Sequence, residues 1–116
     1  MSIRRIGAGA RMSKAVVHGS TVYLAGQVAD KSKGASVAEQ TQEIVGIIDD
    51  LLKEAGSDKT KILSAAIYLS DISTFAQMNS VWDTWVVADH TPARATVEAK
   101  LAAPEYTVEI AVIAAI

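Results

Sequence analysis

The segment "VEIAVIAAI", residues 108–116, decides the fold. Strand alternation puts Val108, Ile110, Val112 and Ala114 on one face, and Glu109, Ala111, Ile113 and Ala115 on the other. Apart from Glu109 both faces are apolar, so both demand burial. Amphipathic helices laid on a sheet cover only one of its faces. The second face therefore predicts a partner, and the simplest partner is another copy of the chain.

The segment before it, "HTPARATVEA" at residues 90–99, opens a strand that runs through "PARATVEAKL", with a turn near Ala103-Pro104-Glu105. If Ala95, Val97 and Ala99 face the core, then Arg94, Thr96 and Glu98 share the opposite, partner-covered face. If the last two strands also pair as a hairpin, Arg94 and Glu109 lie on neighbouring strands of that face. The pattern admits two readings. One is a structural ion pair. The other is an arginine fork for an anionic ligand, with a carboxylate beside it to handle a proton or a water.

Further upstream, "AVVHGSTVYLAGQVAD" reads as a hairpin of Ala15–His18 and Thr21–Val28 joined at Gly19–Ser20. Ser36 with Glu39 forms a capping box. Val37, Thr41, Ile44, Ile48, Leu51 and Leu52 make an apolar helical stripe that Gly56 terminates. "KILSAAIYLS" is a strand with Leu63, Ala65, Ile67 and Leu69 on one face. A second helix, Ser73 to Ala88, buries Phe75, Met78, Trp82, Trp85 and Val86. Hairpin, α, β, α, β, β in that order predicts a single α+β domain over residues 1–116, with both helices on one face of one sheet.

Composition narrows the function. The chain has 116 residues, of which 50% are hydrophobic, enough for a core and rich for a small monomer. Its 11 basic and 13 acidic residues give a net charge of −2, which argues against nucleic acid as a partner. No apolar run approaches the roughly 18 residues that a membrane helix needs. The N-terminal segment lacks the apolar core of a secretory signal, and no cysteine is present, so a cytoplasmic location is expected. His18 and His90 have no ligand-spaced neighbours and read as exposed. Gly7 and Gly9 complete no phosphate-binding motif. Arg4, Arg5, Arg11 and Lys14 read as a solvated basic cluster.

Three segments in order, "YLAGQV" (23–28), "HTPARATVEA" (90–99) and "YTVEIAVIAAI" (106–116), resemble the RidA/YjgF family of reactive imine and enamine deaminases. The similarity covers nearly the whole chain. It implies a chorismate-mutase-like fold, with a single mixed sheet, two helices on one face, and three subunits whose sheets form an inner barrel. It also implies hydrolysis of small 2-imino acids to 2-oxo acids and ammonia in clefts between subunits, with no cofactor and no metal. By this resemblance Arg94 clamps the substrate carboxylate, Glu109 holds the attacking water, and Asn79 falls near a helix asparagine of the family. Met12 stands where the family has a pocket tyrosine, and Lys14 where it has a glutamine. Ala25 replaces a serine before Gly26-Gln27, and Thr96 replaces a cysteine. These departures mark a divergent subgroup. They leave open an alternative, a non-catalytic trimer that binds small carboxylates and regulates a partner. A ribonuclease role is disfavoured by the acidic balance and the lack of a histidine pair.

Overall fold

The computed structural model describes residues 2–116. Six strands and two helices follow one another: β1 (Ile3–Ile6), β2 (Ala15–His18), β3 (Thr21–Leu24), α1 (Val37–Ala55), β4 (Ile62–Leu69), α2 (Phe75–Trp85), β5 (Ala93–Glu98) and β6 (Val108–Ala115). They form one mixed sheet in the order β1-β2-β3-β6-β4-β5. All pairs are antiparallel except β4–β5, which α2 connects as a parallel pair. The single sheet with two helices on one face is the expected α+β architecture.

The first helix forms where its end signals lie. Ser36 Oγ accepts the Glu39 N–H at 3.2 Å, and Gly56 takes the left-handed conformation (φ 86°) that ends the helix. The buried stripe of α1 lies on Ile110, Val112 and Ala114 of β6 and on Val22 and Leu24 of β3. One buried polar residue in α1 also serves the sheet. Gln40 Nε2 donates to the carbonyls of Ala35 (3.1 Å) and Glu105 (2.9 Å), and its Oε1 accepts the Thr107 N–H (3.0 Å). These bonds fix the turn that leads into β6. Trp82 and Trp85 are core residues, with ring centroids 5.3 Å apart, and Trp85 Nε1 donates to Asp49 of α1 at 3.1 Å.

Several expectations need correction. β5 pairs with β4 and not with β6, which lies between β3 and β4. In that register Arg94 is level with Ala65 and Thr96 with Ile67, both buried under the helices. Arg94 and Thr96 are therefore on the helix side, and Ala93, Ala95 and Val97 are on the uncovered side. Glu109 is level with Tyr68, whose side chain takes the uncovered side. Arg94 and Glu109 thus occupy opposite faces of the same sheet, which excludes an ion pair between them within one chain.

Leu63, expected inward, is 53% exposed, because the β4–β6 register slips between Ile62 and Ser64 and Ile62 takes the inward place. β3 ends at Leu24, four residues before the expected Val28, and the chain rejoins β6 only through a Gln27–Ile110 bridge. β1 was unexpected because Arg4 and Arg5 occupy its centre, as charges often do in edge strands. α2 runs from 75 to 85, short of the expected 73–88. A 3-10 turn over Ile72–Thr74, capped by Asp71, precedes it. Phe75, expected in its buried stripe, is 40% exposed because it opens the helix at the β5 edge.

The chain measures 42 × 38 × 21 Å. A thickness of 21 Å holds one sheet and one layer of helices, given an inter-layer spacing of about 10 Å. The other face of the sheet stays open. Tyr23, Ala111 and Ile113 lie there only partly covered, beside a trough of about 580 Å³ floored by Ser64, Ala66, Ala93 and Ala95.

Candidate active-site halves

The sequence singled out six site residues, and the fold divides them into two groups. The first stands at the β5 edge on the helix side. Arg94 is half-buried there, and its Nη1 donates to Asn79 Oδ1 of α2 at 2.8 Å. Its guanidinium carbon lies 5.3 Å from the Trp82 ring centroid and 5.6 Å from that of Phe75. Thr96 follows on the same face, with a buried Oγ1 that has no hydrogen-bond partner. The β-period sets Arg94 and Thr96 side by side, and the helix supplies Asn79 from above. The result is a planar cation with one N–H engaged and the rest of its fork free for an anion.

The second group lies around Gly26, with Glu109 in a cleft on one side of it and Met12 at a separate groove on the α1 side. The Glu109 carboxylate lies over Gly26 so closely that a Cβ at position 26 would come within 2.1 Å of Glu109 Oε2. Glycine leaves room for the carboxylate in this position, and no unusual backbone angle is involved. A cleft of about 390 Å³ opens beside Glu109, lined by Gly26, Tyr68, Lys100, Leu101 and Ala111. Ala25 precedes Gly26; its N–H donates to the Lys14 carbonyl (2.9 Å) and its own carbonyl accepts from Gln27 Nε2 (2.9 Å). Met12 rides the 7–14 loop, 57% exposed, beside Lys14 and Gly26 at a groove of about 770 Å³ that runs to Asp50 and Glu54 of α1. Gly26 borders both the groove and the cleft.

Each group is chemically incomplete. The first offers anion recognition and no base; the second offers a carboxylate that can accept a proton, with no cation fork beside it. Phe75 and Trp82 were read from the sequence as core, and their contact with Arg94 was missed. Their i, i+4, i+7 relation with Asn79 was the available signal, once Arg94 was known to lie under α2. His18 and His90 are exposed, as expected. Among the described residues no group of three or more histidines or acids is arranged to hold a metal ion. Among the same described residues, no helix is long and apolar enough to cross a membrane.

The chain is similar to known proteins over its whole length. The profile of the family described as Endoribonuclease L-PSP matches residues 2–116. A RutC family protein of Haemophilus influenzae is 47% identical over 114 residues, covering 98% of each chain. The RutC family protein YoaB of Escherichia coli is 46% identical over 116 residues, covering 100% of each. Among solved structures, a member of the YjgF protein family from Neisseria meningitidis superposes with a TM-score of 0.96 at 47% identity, over 99% of this chain and 95% of that one.

Proposed function

Because the chain belongs to the YjgF/RidA family, which supports a deaminase-like or related role on small molecules, we propose that it hydrolyses 2-imino acids to 2-oxo acids and ammonia. The reaction takes place where two copies meet in a trimer, so that Arg94 of one copy faces Glu109 of the next. What carries this reading is the division just described. The two chemically necessary groups sit on opposite faces of one chain, and the face that bears Glu109 is apolar and uncovered.

The arginine fork holds the substrate carboxylate through two parallel N–H donors, which lysine cannot offer. Asn79 steadies the fork, and Thr96 lines the same wall. The imine carbon then lies toward Glu109, Gly26 and Ala25, with Met12 at the rim. Glu109 orients a water and takes its proton as the oxygen adds to the imine carbon, while the imine nitrogen gains a proton. As the tetrahedral adduct collapses, Glu109 returns its proton to the amine nitrogen and the adduct hydroxyl loses its own, so that the C–N bond breaks, the 2-oxo group forms and ammonia is released. Imines hydrolyse readily in water, so positioning and modest acid–base assistance are all that the protein must supply. A small 2-imino or 2-oxo carboxylate is the ligand, with no cofactor, nucleic acid or membrane involved, and the setting is the cytoplasm.

Met12 favours one other reading. A thioether cannot donate the hydrogen bond that a tyrosine would, so carboxylate binding could outlast turnover in a regulatory trimer. A coupled assay separates the two. 2-Iminopropanoate is generated by an amino-acid oxidase and formation of the 2-oxo acid is followed with and without the purified protein. Acceleration that is lost in Glu109→Gln, with pyruvate binding retained, supports the deaminase. No acceleration alongside measurable pyruvate binding supports the regulatory trimer.

A further inference from the structure

A carboxylate clamp binds more tightly when its fork is already in place as the ligand arrives, because a free arginine loses much rotamer freedom on binding. Resting on the reading of Arg94 as that clamp, we infer that Trp82 and Phe75 are its positioning residues, an aromatic cradle that holds the guanidinium for the substrate carboxylate. Phe75, Asn79 and Trp82 fall on one stripe of α2, at i, i+4 and i+7. All three meet the same side chain. The guanidinium carbon is 5.3 Å from the Trp82 centroid and 5.6 Å from that of Phe75, inside the roughly 6 Å range of cation–π attraction, and Nη1 is bonded to Asn79 Oδ1 at 2.8 Å.

The cradle is anchored behind. Trp82 is buried against Trp85, whose indole N–H reaches both carboxylate oxygens of Asp49 at 3.1 Å on α1. A line of contacts therefore runs from the helix layer to the fork. The aromatic faces use none of the guanidinium N–H groups, and Asn79 uses one. The cradle thus restricts where the cation sits while leaving donors for a ligand. Polar side chains could hold Arg94 equally well, but each would consume a donor.

The test compares Trp82→Leu, Trp82→Phe and Phe75→Leu, alone and in an Arg94→Ala background. The readouts are calorimetric pyruvate affinity, KM and kcat for 2-iminopropanoate, and thermal unfolding. Loss of one aromatic face should weaken pyruvate binding and raise KM by about three- to tenfold. kcat should stay close to wild type, because the carboxylate is held alike in ground and transition states. Trp82→Phe keeps a ring and should recover most of the loss. Phe75 is 40% exposed, so its replacement leaves the fold standing even if Trp82→Leu unfolds. In the Arg94→Ala background neither leucine variant should cost further affinity. Losses that add in that background would overturn the inference, as would unchanged affinity in Phe75→Leu and Trp82→Leu while Arg94→Ala binds poorly. If Arg94→Ala itself binds pyruvate like wild type, the clamp reading is wrong and the cradle falls with it.

Discussion

A methyl group at position 26 would meet Glu109 Oε2 at 2.1 Å and its carboxyl carbon at 2.9 Å. The obstacle is the far end of a flexible side chain, so Gly26→Ala has a cheap escape: the carboxylate swings away. The expected outcome is a change in folding stability within about 1 kcal/mol, measured by urea denaturation, together with a loss of turnover close to that of Glu109→Gln. Retained activity would mean that this carboxylate position is not the working one. At this scale the sequence was legible in identity and illegible in orientation. Arg94 and Glu109 stood out as charged residues flanked by small and apolar side chains in their strands. Alternation fixes a residue's face relative to its own strand only. Which strand lies alongside, and which face the helices cover, depends on α2 returning the chain parallel to β4. That crossover reversed Arg94 relative to Glu109.

Elements were readable where local chemistry specifies them. The Ser36 cap, the α1 stripe and the Gly56 stop are short-range signals, and the helix obeys all three. The slip at Leu63 and the early end of β3 arise from pairing with β6, far away in sequence, so no local pattern announces them. Another tie hidden from pattern reading joins α1 to the loop before it. Glu43 Oε1 accepts from the Ser32 N–H and hydroxyl, both at 2.7 Å, and Oε2 accepts the Lys31 N–H at 3.1 Å. Burial pushes this carboxyl up, but the Ser32 and Lys31 bonds outweigh it and hold the group below the ordinary value of 4.5. A depressed folded value means that the charged tie stabilises the chain above pH 4.5 and that this contribution disappears as pH falls through the folded value. Glu43→Gln should therefore have a lower urea midpoint than wild type at neutral pH, and the gap should narrow below pH 4.5. A gap that is constant with pH would assign the effect to packing and not to charge.

For the whole molecule, the open sheet face governs behaviour. Of the two apolar sides that the alternation of β6 predicts, one is buried under α1 and the other is only partly covered within the chain. Ile113 lies on that second side beside Tyr23. Ile113→Glu should leave the helix-side core untouched yet prevent the proposed assembly, because burying an unpaired charge costs on the order of several kcal/mol. Light scattering at micromolar concentration should report a trimer for wild type and a monomer for the variant, and deaminase activity should vanish with the trimer. A monomeric but fully active variant would rule out sites shared between copies.

The order of strands also bears on how the chain is made. β6 lies between β3 and β4, and its Tyr23–Ile113 pairing spans most of the sequence. A ribosome delivers the β1-β2-β3 meander first and the β4-α2-β5 unit next, each with an apolar, unpaired edge, and supplies the strand between them last. Neither half can close against the other in the meantime. The nascent chain therefore carries two sticky half-sheets until residue 115 has emerged, and this interval, not the finished fold, is when it is most exposed to misassociation.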